Sequence, residues 1–146
     1  MRINSVRLAV LFLICSSAFA QQEIVEKATG FYPVTFFELM QDPARFDGRK
    51  IEVFGYLGNP WDDAILFALE DYAKYGQVWY GLAVVYNKDV KIMSKQVTGD
   101  ELKRLLKKNG WKYVVLRGQF VNKRHGLTGA LFGALHVEEL LVPKRF

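Results

Sequence analysis

Cysteine is almost absent: the 146 residues contain one, Cys15. A single cysteine closes no internal disulfide, so packing alone must hold the fold. Histidine is nearly as scarce, with His125 and His136 only. Two isolated histidines, with no HExxH, HxH or cysteine set around them, fall short of the three or four ligands of a metal centre. Neither has a neighbour in sequence of the kind that orients a general base. The glycines cluster where hairpins are expected and not between a strand and a helix, which removes a P-loop, a dinucleotide fingerprint and a nucleophile elbow. No apolar run reaches the length of a membrane span: those at residues 8–15 and 78–86 are well short of the roughly 20 residues needed. These absences predict a domain that is not an enzyme, binds no cofactor or metal and has no transmembrane segment.

What is present begins with a targeting pattern. Arg2 and Arg7 precede the apolar run, and Ala18-Phe19-Ala20 supplies a small-x-small cleavage site, so residues 1–20 are expected to be a secretory signal cut after Ala20. The protein is then periplasmic or secreted. A lipoprotein site at Cys15 is the competing reading, but the bulky Ile14 stands where a small residue is wanted. Removal of residues 1–20 takes away the only cysteine and two of the 20 basic residues, leaving 18 basic against 15 acidic, a net +3 over 126 residues. That length suits one domain with one core, and no linker, repeat or low-complexity segment divides it.

Residues 21–33 show no clear period and are expected to be a leader with local order at most, ahead of a single domain at 34–146. Thr35-Phe36-Phe37-Glu38 has the capping-box pattern, and Phe36, Leu39 and Met40 form an apolar stripe at helical spacing. Asp42-Pro43 stops that helix. Residues 50–57 alternate, with Ile51, Val53 and Gly55 on one face and Glu52, Phe54 and Tyr56 on the other, predicting a strand bent at Gly55. Residues 64–69 and 78–86 predict two more strands, apolar on both faces, joined by a polar loop at 70–77. A second capping box, Thr98 to Glu101, opens a helix to about Asn109 with Leu102, Leu105 and Leu106 on one side and Lys103, Arg104, Lys107 and Lys108 on the other. Strands at 111–122, interrupted by Gly118, and at 134–142 complete the chain.

Strand, strand, strand, helix, strand, strand is the element order of the OB-fold, a five-stranded, partly open barrel. The predicted architecture is therefore mainly β: such a barrel, with a helix between its third and fourth strands and an extra N-terminal helix. A mid-chain capped helix disfavours an immunoglobulin-like sandwich. The segments "FFELMQDPARFDGRKIEVFGYLGN" (36–59) and "VVLRGQFVNKRHGLTGALFGALHVEELL" (114–141) resemble the opening and the last hairpin of a group of small exported bacterial OB-fold proteins, the tRNA-anticodon-binding-like group. The resemblance covers 52 of the 126 residues after residue 20. It implies the fold and carries over no catalytic residue.

OB-folds bind through one barrel face and its loops, often with aromatic rings. Tyr56, Trp79, Tyr80 and Trp111, with Arg117, Arg124 and His125, are the candidate ligand contacts; Tyr86 and Lys123 extend the same aromatic and basic set. For His125 the plainer reading is a polar residue in a glycine-rich hairpin loop, and for His136 a packed or half-exposed strand position. Asp62, Asp63, Glu70 and Asp71 lack the spacing of a calcium loop and read as a solvated loop. A protein, peptide or glycan of the cell envelope is the expected partner. Nucleic acid is disfavoured by export and by the weak net charge. A hydrolase or metal-dependent enzyme using His125 with Asp62 or Asp63 is the alternative of another class. The apolar stripe of the N-terminal helix competes for the same aromatic surface if it packs on the outside of the barrel.

Overall fold

The structure is a computed structural model that describes residues 22–23, 25–58, 64–92, 95–109, 113–124 and 129–143. Strands β1 (Tyr32–Val34), β2 (Lys50–Gly58), β3 (Ile65–Phe67), β4 (Gly81–Ile92), β5 (Lys95–Thr98), β6 (Tyr113–Val121) and β7 (Ala134–Leu141) are joined by helices α1 (Phe36–Gln41), α2 (Glu70–Lys74) and α3 (Gly99–Asn109). Five strands close a barrel in the order β2-β3-β4-β7-β6, and β6 returns to β2. All these pairings are antiparallel except β4 with β7. In barrel-strand numbering the circuit is 1-2-3-5-4-1, with α3 between the third and fourth strands, so the chain is mainly β with an OB-fold-like barrel. Closure leaves few unpaired strand edges, the usual route to unwanted association.

Period two governs the barrel wall. Along β2 the side chains of Ile51, Val53 and Leu57 are buried, while Phe54 is exposed and Glu52 and Tyr56 are half-buried; along β6 Val114, Leu116 and Phe120 are buried and Tyr113 is exposed. Two glycines let the wall curve. A Cβ on Gly55 would lie 2.6 Å from the Phe67 carbonyl, where β2 begins to pair with β3. At Gly118 a Cβ would run into the His136 carbonyl, beside a bulge where the β6–β7 register slips between Arg117 and Gly118. Both close approaches admit only hydrogen.

The two-sided apolar character of the second and third barrel strands has a direct cause. Leu66 faces the main core, whereas Ile65 and Phe67 form a second cluster with Leu131, packed over by Tyr72, Ala73, Val78 and Ala83. The segment 70–77 therefore does more than loop: its first part is α2, which roofs β3. Residues 78–80, expected as strand, are a 3-10 turn, and β4 starts at Gly81. Gly76 takes φ +63 and the Tyr80 N–H bonds back to the Gln77 carbonyl, so the chain is curled until Gly81, where a Cβ would lie 2.6 Å from the Ile65 methyl. β4 then runs to Ile92, past the expected end at 86, and folds back into β5. Val90, Ile92 and Val97 are buried on this extension.

The N-terminal helix forms with its full capping box: Thr35 Oγ1 accepts from the Glu38 N–H, and the Glu38 carboxylate accepts from the Thr35 N–H at 2.9 Å. Its stripe faces inward. Leu39 is fully buried in the same cluster as Val53, Leu116 and Phe120, and Phe36 meets Phe132 edge-on at 5.6 Å. At the second cap, Thr98 Oγ1 accepts from the Glu101 N–H, and α3 buries Leu102.

Order begins earlier than expected. Residues 25–29 are helical, and β1 pairs in parallel with Ile51, Glu52 and Val53 of β2. Phe31 is buried, with the cations of Lys50 and Arg117 on its ring at 5.6 and 5.7 Å, and Arg49 lies over Tyr32 at 4.5 Å while bonding Glu26. These residues sit within the stretch read as a leader; aromatic burial and cation–π contacts hold them where no periodic pattern announces it. No helix of the described residues is long and apolar enough to cross a membrane. The expected signal and Cys15 lie outside the described residues.

Candidate functional site: an aromatic strip on the barrel wall

The outer face of β2 and β6 follows from alternation and register. With Tyr56 opposite Tyr113, Phe54 opposite Val115 and Glu52 opposite Arg117, every outward residue of one strand has an outward neighbour on the other. Cross-strand and diagonal pairs on one face are within reach of aromatic side chains. Phe54 and Tyr113 stack at 5.6 Å with 11° between their planes, and Tyr56 meets Tyr113 edge-on at 5.2 Å. Such pairs contribute about 0.5–1.5 kcal/mol beyond area burial, which holds the rings in place without hiding them. Phe54 remains 52% exposed and Tyr113 39%.

The two ends of the strip differ. At one end Tyr56 donates to the Glu70 carboxylate and the Glu70 N–H donates to the Tyr113 hydroxyl, both at 3.4 Å. Burial, followed by the Glu70 charge, pushes the Tyr56 phenol up from its ordinary value, so it stays a neutral donor. At the other end a shallow groove of about 210 Å³ is lined by Pro33, Val34, Thr35, Glu52, Phe54 and Val115. Beyond it Arg117 donates to Glu52 at 2.6 Å and to Glu139 at 3.0 Å. Burial opposes the Arg117 charge, but those two bonds outweigh it and the guanidinium is held more firmly protonated than usual.

A second exposed group lies around α2. Tyr72 and Tyr80 stack at 5.2 Å, Trp79 is 61% exposed, and Leu69 and Tyr75 are exposed as well. Glu70, which opens α2, lies between this group and the strip. Apolar surface concentrated in this way marks interaction sites on soluble domains.

Of the residues singled out from sequence, Tyr56 is in the strip, and Trp79 and Tyr80 are in the second group. Arg117 faces the same side of β6 as Tyr113, but with only 19% of its side chain exposed it serves the ion pairs described above. Arg124 is exposed at the start of the last hairpin loop. Trp111, His125, Asp62 and Asp63 lie outside the described residues, as do the side chains of Leu106, Lys107 and Lys108. His136 is half-buried in β7, between Val85 and Gln119, and Tyr86 is packed against the core with burial raising its phenol well above its usual range. Lys123, Lys103 and Arg104 are exposed. Among the described residues no group of three or more His, Cys, Asp or Glu is placed to hold a metal.

Three members of the site were missed from sequence. Phe54 shares the outward face of Tyr56 and was findable from alternation alone. Tyr113 and Glu70 were not, because their places depend on the β2–β6 register and on α2. No protein-family model, curated protein or solved structure matches this chain.

Proposed function

We propose that the protein is an exported, non-enzymatic OB-fold binding module that engages a protein, peptide or glycan of the cell envelope through its outer aromatic face. The observation that supports this reading best is that Phe54, Tyr56 and Tyr113 are ordered by one another while Phe54 and Tyr113 stay open to solvent, and the stripe of α1, the nearest competitor for that surface, is turned inward. Aromatic rings held rigid on a barrel wall offer large contact area at little entropic cost. The absence of catalytic motifs in the sequence, the expected signal and the resemblance to small exported OB-fold proteins agree with it.

Amide shift mapping by NMR, with a panel of short peptides and oligosaccharides, tests the proposal. Ligand-induced shifts centred on residues 54–56 and 113–115 are expected. Turnover of any panel member that is abolished by His125→Ala would replace the reading with the enzyme alternative.

A further inference from the structure

Charge is shared unevenly along the chain. Residues 87–109 hold seven basic and three acidic residues, a net +4, whereas the other residues after residue 20 hold eleven basic and twelve acidic, a net −1. The positive charge of the domain therefore belongs to one unit: the far half of β4, β5 and α3. β5 pairs with β4 from Asp89 to Ile92, and α3 follows β5 directly and rests on both strands. Val90, Ile92, Val97 and Leu102 are buried, while Lys91, Lys103 and Arg104 are exposed. Asp100 and Glu101 stand in the first turn of α3, where the helix dipole favours acids. Lys91 lies 3.8 Å from Glu139, but that carboxylate is shared with Arg117 at 3.0 Å. Among the described residues Lys103 and Arg104 have no carboxylate partner. Elsewhere Lys27, Arg49, Lys50 and Arg117 are paired with carboxylates, and Arg45 and Lys74 lie over rings. Lys123 and Arg124 are exposed as well, but at the other end of the barrel: they follow Val121, which is level with Ala134 and with Ala83 near the start of β4, whereas Ile92 is level with Leu140. From Ala83 to Ile92 the strand covers about 30 Å, several times the screening length in physiological salt.

We infer that the outer face of α3 and the β4–β5 hairpin docks on an anionic lipid bilayer, with Lys91, Lys103 and Arg104 toward the headgroup phosphates. A basic cluster of this size around an amphipathic helix is of the kind that anionic lipid attracts. Leu102 is committed to the barrel core, so α3 does not sink its apolar face among acyl chains, and the attraction is electrostatic and salt-sensitive. Six of the seven cations are lysine, a compact point charge suited to a mobile array of phosphates. Residues 87–109 contain no Phe, Tyr or Trp on which a base would stack, which disfavours single-stranded nucleic acid. The inference does not depend on the aromatic strip, which lies on β2 and β6.

The test is co-sedimentation of protein purified from cells expressing the full sequence, with vesicles of equal parts phosphatidylglycerol and phosphatidylcholine and with vesicles of phosphatidylcholine alone. Binding to the mixed vesicles that is missing on phosphatidylcholine and falls steeply as salt is raised is expected. Lys103→Gln with Arg104→Gln should weaken it about tenfold or more, for two charges lost at the surface. Lys123→Gln with Arg124→Gln makes the same change in net charge at the other end of the barrel and should weaken it about threefold at most. All four positions are exposed, so both variants should unfold at nearly the natural temperature. Equal losses in the two variants, equal binding to the two kinds of vesicle, or no vesicle binding overturns the inference. If a short DNA duplex at equal phosphate concentration displaces the protein from the mixed vesicles, the face is a nucleic-acid site and the inference falls.

Discussion

Arg117 and Glu52 face each other across β6 and β2 with Nε 2.6 Å from Oε2, and the same guanidinium reaches Glu139 on β7 at 3.0 Å. Glu139 in turn faces Lys91 of β4 at 3.8 Å. The chain of charges thus links four of the five barrel strands. Removing the cation leaves the Glu52 carboxylate, only 24% exposed, without this partner, and leaves Glu139 with Lys91 at 3.8 Å. Arg117→Met is expected to cost about 1–3 kcal/mol, between the values for exposed and for buried broken pairs, measured by urea unfolding. Glu52→Gln in the same background should recover part of the loss, since it removes a half-buried charge that has lost its cation.

The capping box of α1 gives a pH-dependent term of definite sign. Hydrogen bonds from the Thr35 side chain and then its backbone N–H lower the Glu38 carboxyl from 4.5. A folded-state value below the unfolded one stabilises the fold above the unfolded value, and that contribution fades as pH falls through the folded one. The stability gap between the natural chain and Glu38→Gln should therefore be constant above about pH 5 and close progressively below pH 4.5. Thr35→Ala should cost about 1 kcal/mol near neutral pH. Chemical denaturation at a series of pH values checks both.

Gly118→Ala tests the bulge. The added methyl would meet the His136 backbone, which cannot move without opening the β6–β7 ladder, so a loss of about 1–3 kcal/mol or more is expected from overpacking. Hydrogen exchange should show the extra opening concentrated in 115–121 and 134–140.

Leu39→Ala asks whether α1 belongs to the core. A leucine buried to this degree should cost about 2–5 kcal/mol when truncated. Phe37→Ala, on the exposed side of the same helix, should cost well under 1 kcal/mol. Similar losses for the two would mean that the helix packs differently.

The barrel was legible in the sequence where local chemistry decides it. The alternation of residues 50–57, the capping box of α1, the Thr98 cap of α3 and the strand glycines each carry their structure within a few residues of themselves. Val78-Trp79-Tyr80 misled because β-branched and aromatic residues favour strands, and the curl that overrides this preference is set by Gly76 and by the approach of Gly81 to Ile65, a partner far along the chain. β1 and the helical turn before it are too short to show a period. The site divides in the same way: Tyr56 and Phe54 share a face by counting, whereas Tyr113 joins them only through register and Glu70 only through α2.

On the proposed function, Phe54 and Tyr113 serve a ligand and not the fold. Phe54→Ala combined with Tyr113→Ala, followed by thermal unfolding and by titration with the panel of short peptides and oligosaccharides, separates the two roles. A stability loss of no more than about 3 kcal/mol, the value of the two aromatic pairs that Tyr113 makes, is expected, with ligand-induced shifts at 54–56 and 113–115 lost. Unchanged binding by the doubly substituted protein, or its failure to fold, would overturn that role for the two rings.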